Sequence, residues 1–299
     1  MFEWKIFEVL VSILCALTFL ICSITLILIC IRIRPLLSNV SILLTCNTYI
    51  TLIGSSAVTF IITIFGFYYR GLSAPLINVF NCQLRTYINY IFICAFYYSC
   101  ALQAMFRLFR IVFAGNRVLQ SGFTLLISIL AQWIIPIFYM LAYFLLGDFE
   151  YHVEIGSCWV SFKNIRTLSI GMAFIYGTPL IIMGCVYLFI VQSVRRTVQT
   201  VQIRQTANKR DILVVKRIII LVLIGMGIGI PTAFLLIIFM ITNYLTSYAY
   251  HIQSLSLTTG LVFESIALIL VTPQVRNILR KNRLTYPLRS SKRNLQPVH

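Results

Sequence analysis

Residues 218–263 read IIILVLIGMGIGIPTAFLLIIFMITNYLTSYAYHIQSLSLTTGLVF, 46 positions without an acidic residue, a lysine or an arginine. About 20 apolar residues at roughly 1.5 Å each cross a hydrocarbon core, so this stretch is too long for one crossing and long enough for two. It divides at 243–251 (NYLTSYAYH), a polar, tyrosine-rich segment suited to a membrane interface, where aromatic rings have one wet end. The same reading extends outward along the chain. Further uncharged runs occupy 9–31, 35–69, 86–106, 118–147 and 167–194, and the second of these opens with Pro35, Ser38 and Asn39, which punctuate a turn ahead of a helix start. Seven spans are expected, at about 7–31, 40–66, 79–106, 122–146, 167–194, 213–241 and 252–273.

Composition agrees. Of 299 residues, 60% are hydrophobic and 10% charged, and mean hydropathy is +0.94. An average soluble domain carries about 25% charged residues. A soluble enzyme, a disordered chain and a disulfide-stapled secreted module are excluded on these grounds. A β-barrel would alternate over segments of about ten residues, whereas these runs are continuous. The first span's 23 uncharged residues exceed a signal peptide's apolar region and run directly into Arg32 and Arg34, so it reads as a retained span. The expected fold class is an all-α membrane protein, a seven-transmembrane helix bundle, with a single domain over 1–284 and a short basic tail over 285–299.

Charge sets the expected orientation. Nineteen of the 24 Lys and Arg residues fall after spans one, three, five and seven, and positive charge in short loops stays on the cytoplasmic side. The N-terminus is therefore expected outside and the C-terminus in the cytoplasm, and the net charge of +17 calls for no nucleic acid. The sequon at Asn39 falls on the cytoplasmic side and should be silent. Residues 274–284 (QVRNILRKNRL) place Val275, Ile278 and Leu279 at helical spacing among Arg276, Arg280, Lys281 and Arg283, which predicts a short amphipathic helix against anionic lipid.

Seven of nine cysteines lie inside apolar runs and read as small buried hydrophobes; only Cys82 and Cys158 sit at span edges. Arg107 follows Cys82 by 25 residues. Trp133 and Pro136 mark the fourth span, Pro179 and Tyr187 the fifth, Pro231 the sixth and Pro273 the seventh; proline in a spanning helix frees a carbonyl and bends the axis.

Over about residues 7–284 these positions together resemble the rhodopsin-like G-protein-coupled receptors. The resemblance implies a disulfide from Cys82 to Cys158, tying the third helix to the second outer loop. It implies a switch in which Arg107 meets Tyr187 on activation, with Pro179, Pro231 and Pro273 as bends. The family's acidic neighbour of the arginine is replaced here by Phe106, and its tyrosine by Leu108. Asp211, the one acidic residue expected on the cytoplasmic side, stands where the family often carries an acid that latches span six to span three. The chain departs from the family at Cys46-Asn47-Thr48-Tyr49 in span two, where an acid is usual, and at Ile228-Gly229-Ile230-Pro231 in span six. It departs again at Thr272-Pro273-Gln274-Val275-Arg276 in span seven.

The expected function is that of a plasma-membrane receptor that senses an outer ligand and activates a heterotrimeric G protein as span six swings outward. A short outer N-terminus favours a small molecule or short peptide. No lysine falls in the middle of a span, which excludes an opsin, and Asn89 stands where amine receptors carry an aspartate, which disfavours an amine. Arg85, Asn89, Trp159 and Glu264 are the expected ligand-pocket residues, since charges within spans are costly and default to function. Gly225 and Gly229, four residues apart, suit close helix packing rather than a nucleotide loop. Three scattered histidines, no catalytic triad and no carboxylate pair give no enzyme, metal or cofactor reading. The alternative is a seven-span transporter or channel, against which stands the lack of an internal repeat.

Overall fold

The apolar runs become helices because a backbone surrounded by lipid must satisfy its own polar groups. The computed structural model describes residues 2–32, 40–70, 79–113, 118, 121–153, 155–160, 164–200, 205–242, 248–272 and 275–276; the side chains at 2–4, 111, 194–200 and 205–222 lie outside the description. In chain order come α1 (Phe2–Arg32), α2 (Val40–Tyr69), α3 (Val79–Ile111) and α4 (Gly122–Leu146). A hairpin of β1 (Phe149–His152) and β2 (Ser157–Val160) follows, then α5 (Ile165–Met172), a π turn (Ala173–Gly177), α6 (Thr178–Thr200), α7 (Gln205–Thr242) and α8 (Ala249–Val271). With α5, the π turn and α6 counted as one span, seven helices among the described residues are long and apolar enough to cross a membrane, and the chain is a multi-pass membrane protein.

Three expectations are corrected. The seven-helix bundle stands, but the loop after α4, expected as a plain loop, is a β-hairpin. Several helices outrun their apolar runs: α3 reaches Ile111, α7 begins at Gln205 and α8 at Ala249. Helical hydrogen bonding continues past the apolar core where flanking residues are good helix formers. The fifth span is not a simple bent helix either. Pro179 has no N–H for a carbonyl four residues back. The chain widens into the π turn instead, with the Thr178 N–H on the Ala173 carbonyl and the Thr178 hydroxyl donating to that carbonyl at 3.1 Å. Of the expected amphipathic helix only Val275, buried, and Arg276, whose N–H bonds the Thr272 carbonyl at 3.1 Å, are described. Pro273, the rest of 274–284 and the tail at 285–299 lie outside the described residues.

The bundle is apolar outside and more polar within. Leu146, Ile241 and Phe123 point outward, while Thr48, Thr51, Ser55, Ser56 and Ser99 are fully buried. Buried hydroxyls at helical positions bond back to the preceding turn, as Thr48 does to Leu44 at 3.0 Å. α3 is the central element, packed against α2, α4, α6 and both strands, while α8 closes the ring against α1 and α7. Close approach is set by small residues: a methyl group at Gly260 would run into Ile228 of α7, and one at Gly54 into Phe92.

Two glycines have left-handed backbones and make a paired prediction. Gly147 (φ 74°) ends α4 and a methyl there meets open space; Gly156 (φ 63°) sits in the hairpin turn, and a methyl there would strike the Gly66 carbonyl and lie 2.8 Å from the Arg70 nitrogen. Gly147→Ala should cost only the left-handed penalty of about 1–2 kcal/mol. Gly156→Ala must also displace backbone, so its melting midpoint in detergent should fall further; equal shifts for the two would contradict this packing.

Candidate functional site

Cys82, at the start of α3, and Cys158, in β2, form a disulfide with Cα atoms 5.7 Å apart. The hairpin is also held by the Thr86 hydroxyl on the Cys158 carbonyl at 2.7 Å and by the Gln83 amide on the Phe149 carbonyl at 2.9 Å. Tyr151 donates to the Tyr69 carbonyl at 3.1 Å, and burial pushes its phenol above the ordinary range. The disulfide end of the bundle is thereby capped by a fixed lid.

Deeper in, a layer of polar side chains joins α2, α3 and α4. The Asn47 amide donates to the Gln132 carbonyl oxygen at 2.5 Å, and the Trp133 indole donates to Asn47 Oδ1 at 2.9 Å. The Gln132 amide reaches the Ala95 carbonyl at 2.8 Å, the Thr48 and Ser99 hydroxyls lie 2.5 Å apart, and the Gln103 amide donates to Thr48 at 2.6 Å. Satisfied networks of this kind fix which helix faces meet, and removing one member strands the others. Asn47→Leu should therefore lower stability by about 2–3 kcal/mol, since several partners lose a bond. A thermal melt unchanged from wild type would contradict the network.

One turn further from the disulfide, two of the six expected switch residues, Arg107 and Tyr187, come together. Arg107, near the end of α3, stands beside Tyr187 of α6, which is buried. Both line a cavity of about 20 Å³ with Tyr97, Gln103, Gly225 and Glu264. Gly225 brings the α7 backbone against the Glu264 carboxyl: a methyl there would lie 3.4 Å from Glu264 Oε1 and 3.6 Å from Tyr97. Tyr97 donates to the Gly225 carbonyl at 3.4 Å and meets Tyr176 edge-on at 4.8 Å. α7 runs helical through Pro231. Asp211 lies in the first turns of α7, and its side chain is outside the described residues.

The four expected pocket residues do not share a pocket. Arg85 stacks on Phe65, 3.9 Å from the ring centre, and donates to the Asn81 carbonyl at 3.1 Å. Asn89 is buried, accepting from the Thr59 hydroxyl at 3.1 Å. Trp159 packs edge-on to Tyr90, with its indole on the Ser157 hydroxyl at 3.1 Å, and lines a separate cavity of about 40 Å³ beside Glu8 and His251. Glu264 lies fifteen residues into α8 from Ala249, about 22 Å along the axis, and lines the cavity of Arg107 and Tyr187 rather than one near the hairpin. The cavities described here have room for water, far below the roughly 300 Å³ of a drug-sized site, so a ligand requires the helices to part.

Sequence reasoning missed the Glu8–Arg70 ion pair that joins α1 to the end of α2. It also missed Gln103, Gln132 and Tyr97. Their signal was present: Thr48, Thr51 and Ser55, with Ser99 and Gln103, fall at helical spacing within apolar spans, which marks an inward polar stripe. No family model matches the chain, and no curated protein matches it.

Proposed function

We propose that this chain is a plasma-membrane receptor of the rhodopsin-like type, with its N-terminus and hairpin outside, which activates a heterotrimeric G protein when an outer ligand is bound. The observation that carries the reading is the shared cavity of Arg107 and Tyr187, because it brings together, from the third and fifth spans, the two residues that the family resemblance singles out. The Cys82–Cys158 bond adds to it: disulfides persist in an oxidising compartment, and this one lies at the end of the bundle remote from the basic segments. The oriented charge then gives a basic inner face for a G protein and for anionic lipid.

The ligand acts by its differential affinity for the parted and closed bundles. α7 is suited to move, because Gly225 and Gly229 meet Tyr97, Glu264 and Tyr176 without side chains of their own. In cells, the chain should raise G-protein dissociation in at least one Gα class above empty vector, with no ionic current or solute uptake. Current or uptake above vector, without G-protein dissociation, would favour the transporter or channel instead.

A further inference from the structure

We propose that Arg85, in the groove between α2 and α3, binds the phosphate of a phospholipid in the leaflet on the hairpin side. The binding requires that the chain cross a membrane and does not depend on the receptor reading.

Depth is the first argument. Residues 86–106 are 21 positions without a charge, closed by Arg85 at one end and Arg107 at the other. At roughly 1.5 Å per residue they span about 32 Å, the thickness of a hydrocarbon core. Arg85 therefore stands at the level where acyl chains give way to headgroups.

The second argument is how the guanidinium is held. It lies 3.9 Å from the centre of the Phe65 ring of α2, and its Nε donates to the Asn81 carbonyl at 3.1 Å. Phe65 stacks in turn on Tyr69, with ring centres 5.7 Å apart. Arg85 is half-buried, while Phe65 and Asn81 are exposed, so the group sits on the outer surface of the bundle. Inward, the groove ends on Cys82, Cys158 and Ser157, around a cavity of about 10 Å³. That space admits no more than a water, so a partner for the guanidinium comes from the lipid side.

Charge is the third. A guanidinium carries five N–H donors, and Asn81 takes one. No carboxylate pairs with Arg85 among the described residues, where Glu8 holds Arg70, and the segment joining α2 to α3 (71–78, GLSAPLIN) has no acid. A charge within a span is costly without a partner. The phosphodiester is the anion present at that depth, and its oxygens match the guanidinium fork. Lys5 offers the contrast: it is exposed, 5.9 Å from the Phe67 ring, and lines no part of this groove.

The test is native mass spectrometry of the full chain in a neutral maltoside detergent, titrated with dioleoylphosphatidylcholine, dioleoylglycerol or inorganic phosphate. Wild type should retain one phosphatidylcholine at low lipid and neither of the other two. Arg85→Gln should weaken that binding by about tenfold or more, since hydrogen bonds to charged groups are the strong ones. Lys5→Gln should leave it unchanged. Equal retention by Arg85→Gln and wild type, or an equal loss in Lys5→Gln, would overturn the site. Dioleoylglycerol held as tightly as phosphatidylcholine would make the groove merely apolar, and inorganic phosphate held as tightly would make it a site for soluble anions; either result overturns the proposal. Should Arg85→Gln not accumulate, Phe65→Leu, which removes the ring that holds the guanidinium, is read by the same criterion.

Discussion

Changing Cys82 or Cys158 to Ser should remove most of the protein from the cell surface and lower its melting midpoint by about 5–15 °C. The bond closes a loop with a sequence separation of 76. Cross-linking a loop of that order restricts the unfolded chain by roughly 4 kcal/mol, and losing a native disulfide costs about 2–5 kcal/mol. In a chain of this size each kcal/mol moves the midpoint by about 2–4 °C. The bond also seats β2 on α3, so its loss releases the hairpin that caps the bundle. Cys185→Ser is the control: that thiol is free and faces outward from the bundle, and its removal should leave both measurements within error. Wild-type surface level and melting for both Cys82→Ser and Cys158→Ser would remove the disulfide from the account.

The second large effect falls on the switch. Arg107→Ala should reduce G-protein activation by about tenfold or more while leaving surface level near wild type, because Arg107 of α3 and Tyr187 of α6 line one cavity, where a charge-assisted contact contributes about 1.5–3 kcal/mol. Tyr187→Phe removes only the hydroxyl and should weaken activation by less. Asp211→Asn should raise ligand-independent activation if that acid latches α7 to Arg107 at rest. Basal activity equal to wild type at matched surface level would leave Asp211 as an ordinary inner charge. An Arg107→Ala protein that signals normally would contradict the switch altogether.

What the sequence made legible was set by one-dimensional signals. Uncharged runs gave the seven spans, since crossing a membrane is a matter of length and polarity, and the break expected at 243–251 begins where α7 ends at Thr242 but overlaps the first turn of α8, which starts at Ala249. The pairing of Cys82 with Cys158 and the meeting of Arg107 with Tyr187 came from family resemblance rather than from periodicity. The hairpin was missed because Phe149–His152 and Ser157–Val160 are four residues each, too short for alternation to register. The π turn was missed because Pro179 announces only that a bond is lost, not how the backbone accommodates the loss. That the four expected pocket residues lie apart has a tertiary reason: which way Asn89 or Glu264 faces depends on the rotation of α3 and α8 against their neighbours. Depth matters as well, since Glu264 and Trp159 line different cavities. The polar stripe of Thr48, Thr51, Ser55, Ser99 and Gln103 was the strongest unused signal.

The measurement that bears most directly on the central claim is nucleotide exchange by purified heterotrimeric G proteins of each Gα class on the full chain reconstituted in lipid nanodiscs, compared with empty nanodiscs and with Arg107→Ala. The account predicts exchange above the empty nanodisc for at least one class and its loss in Arg107→Ala. Exchange no faster than the empty nanodisc for every class, together with ion or solute flux in proteoliposomes that survives Arg107→Ala, would contradict it.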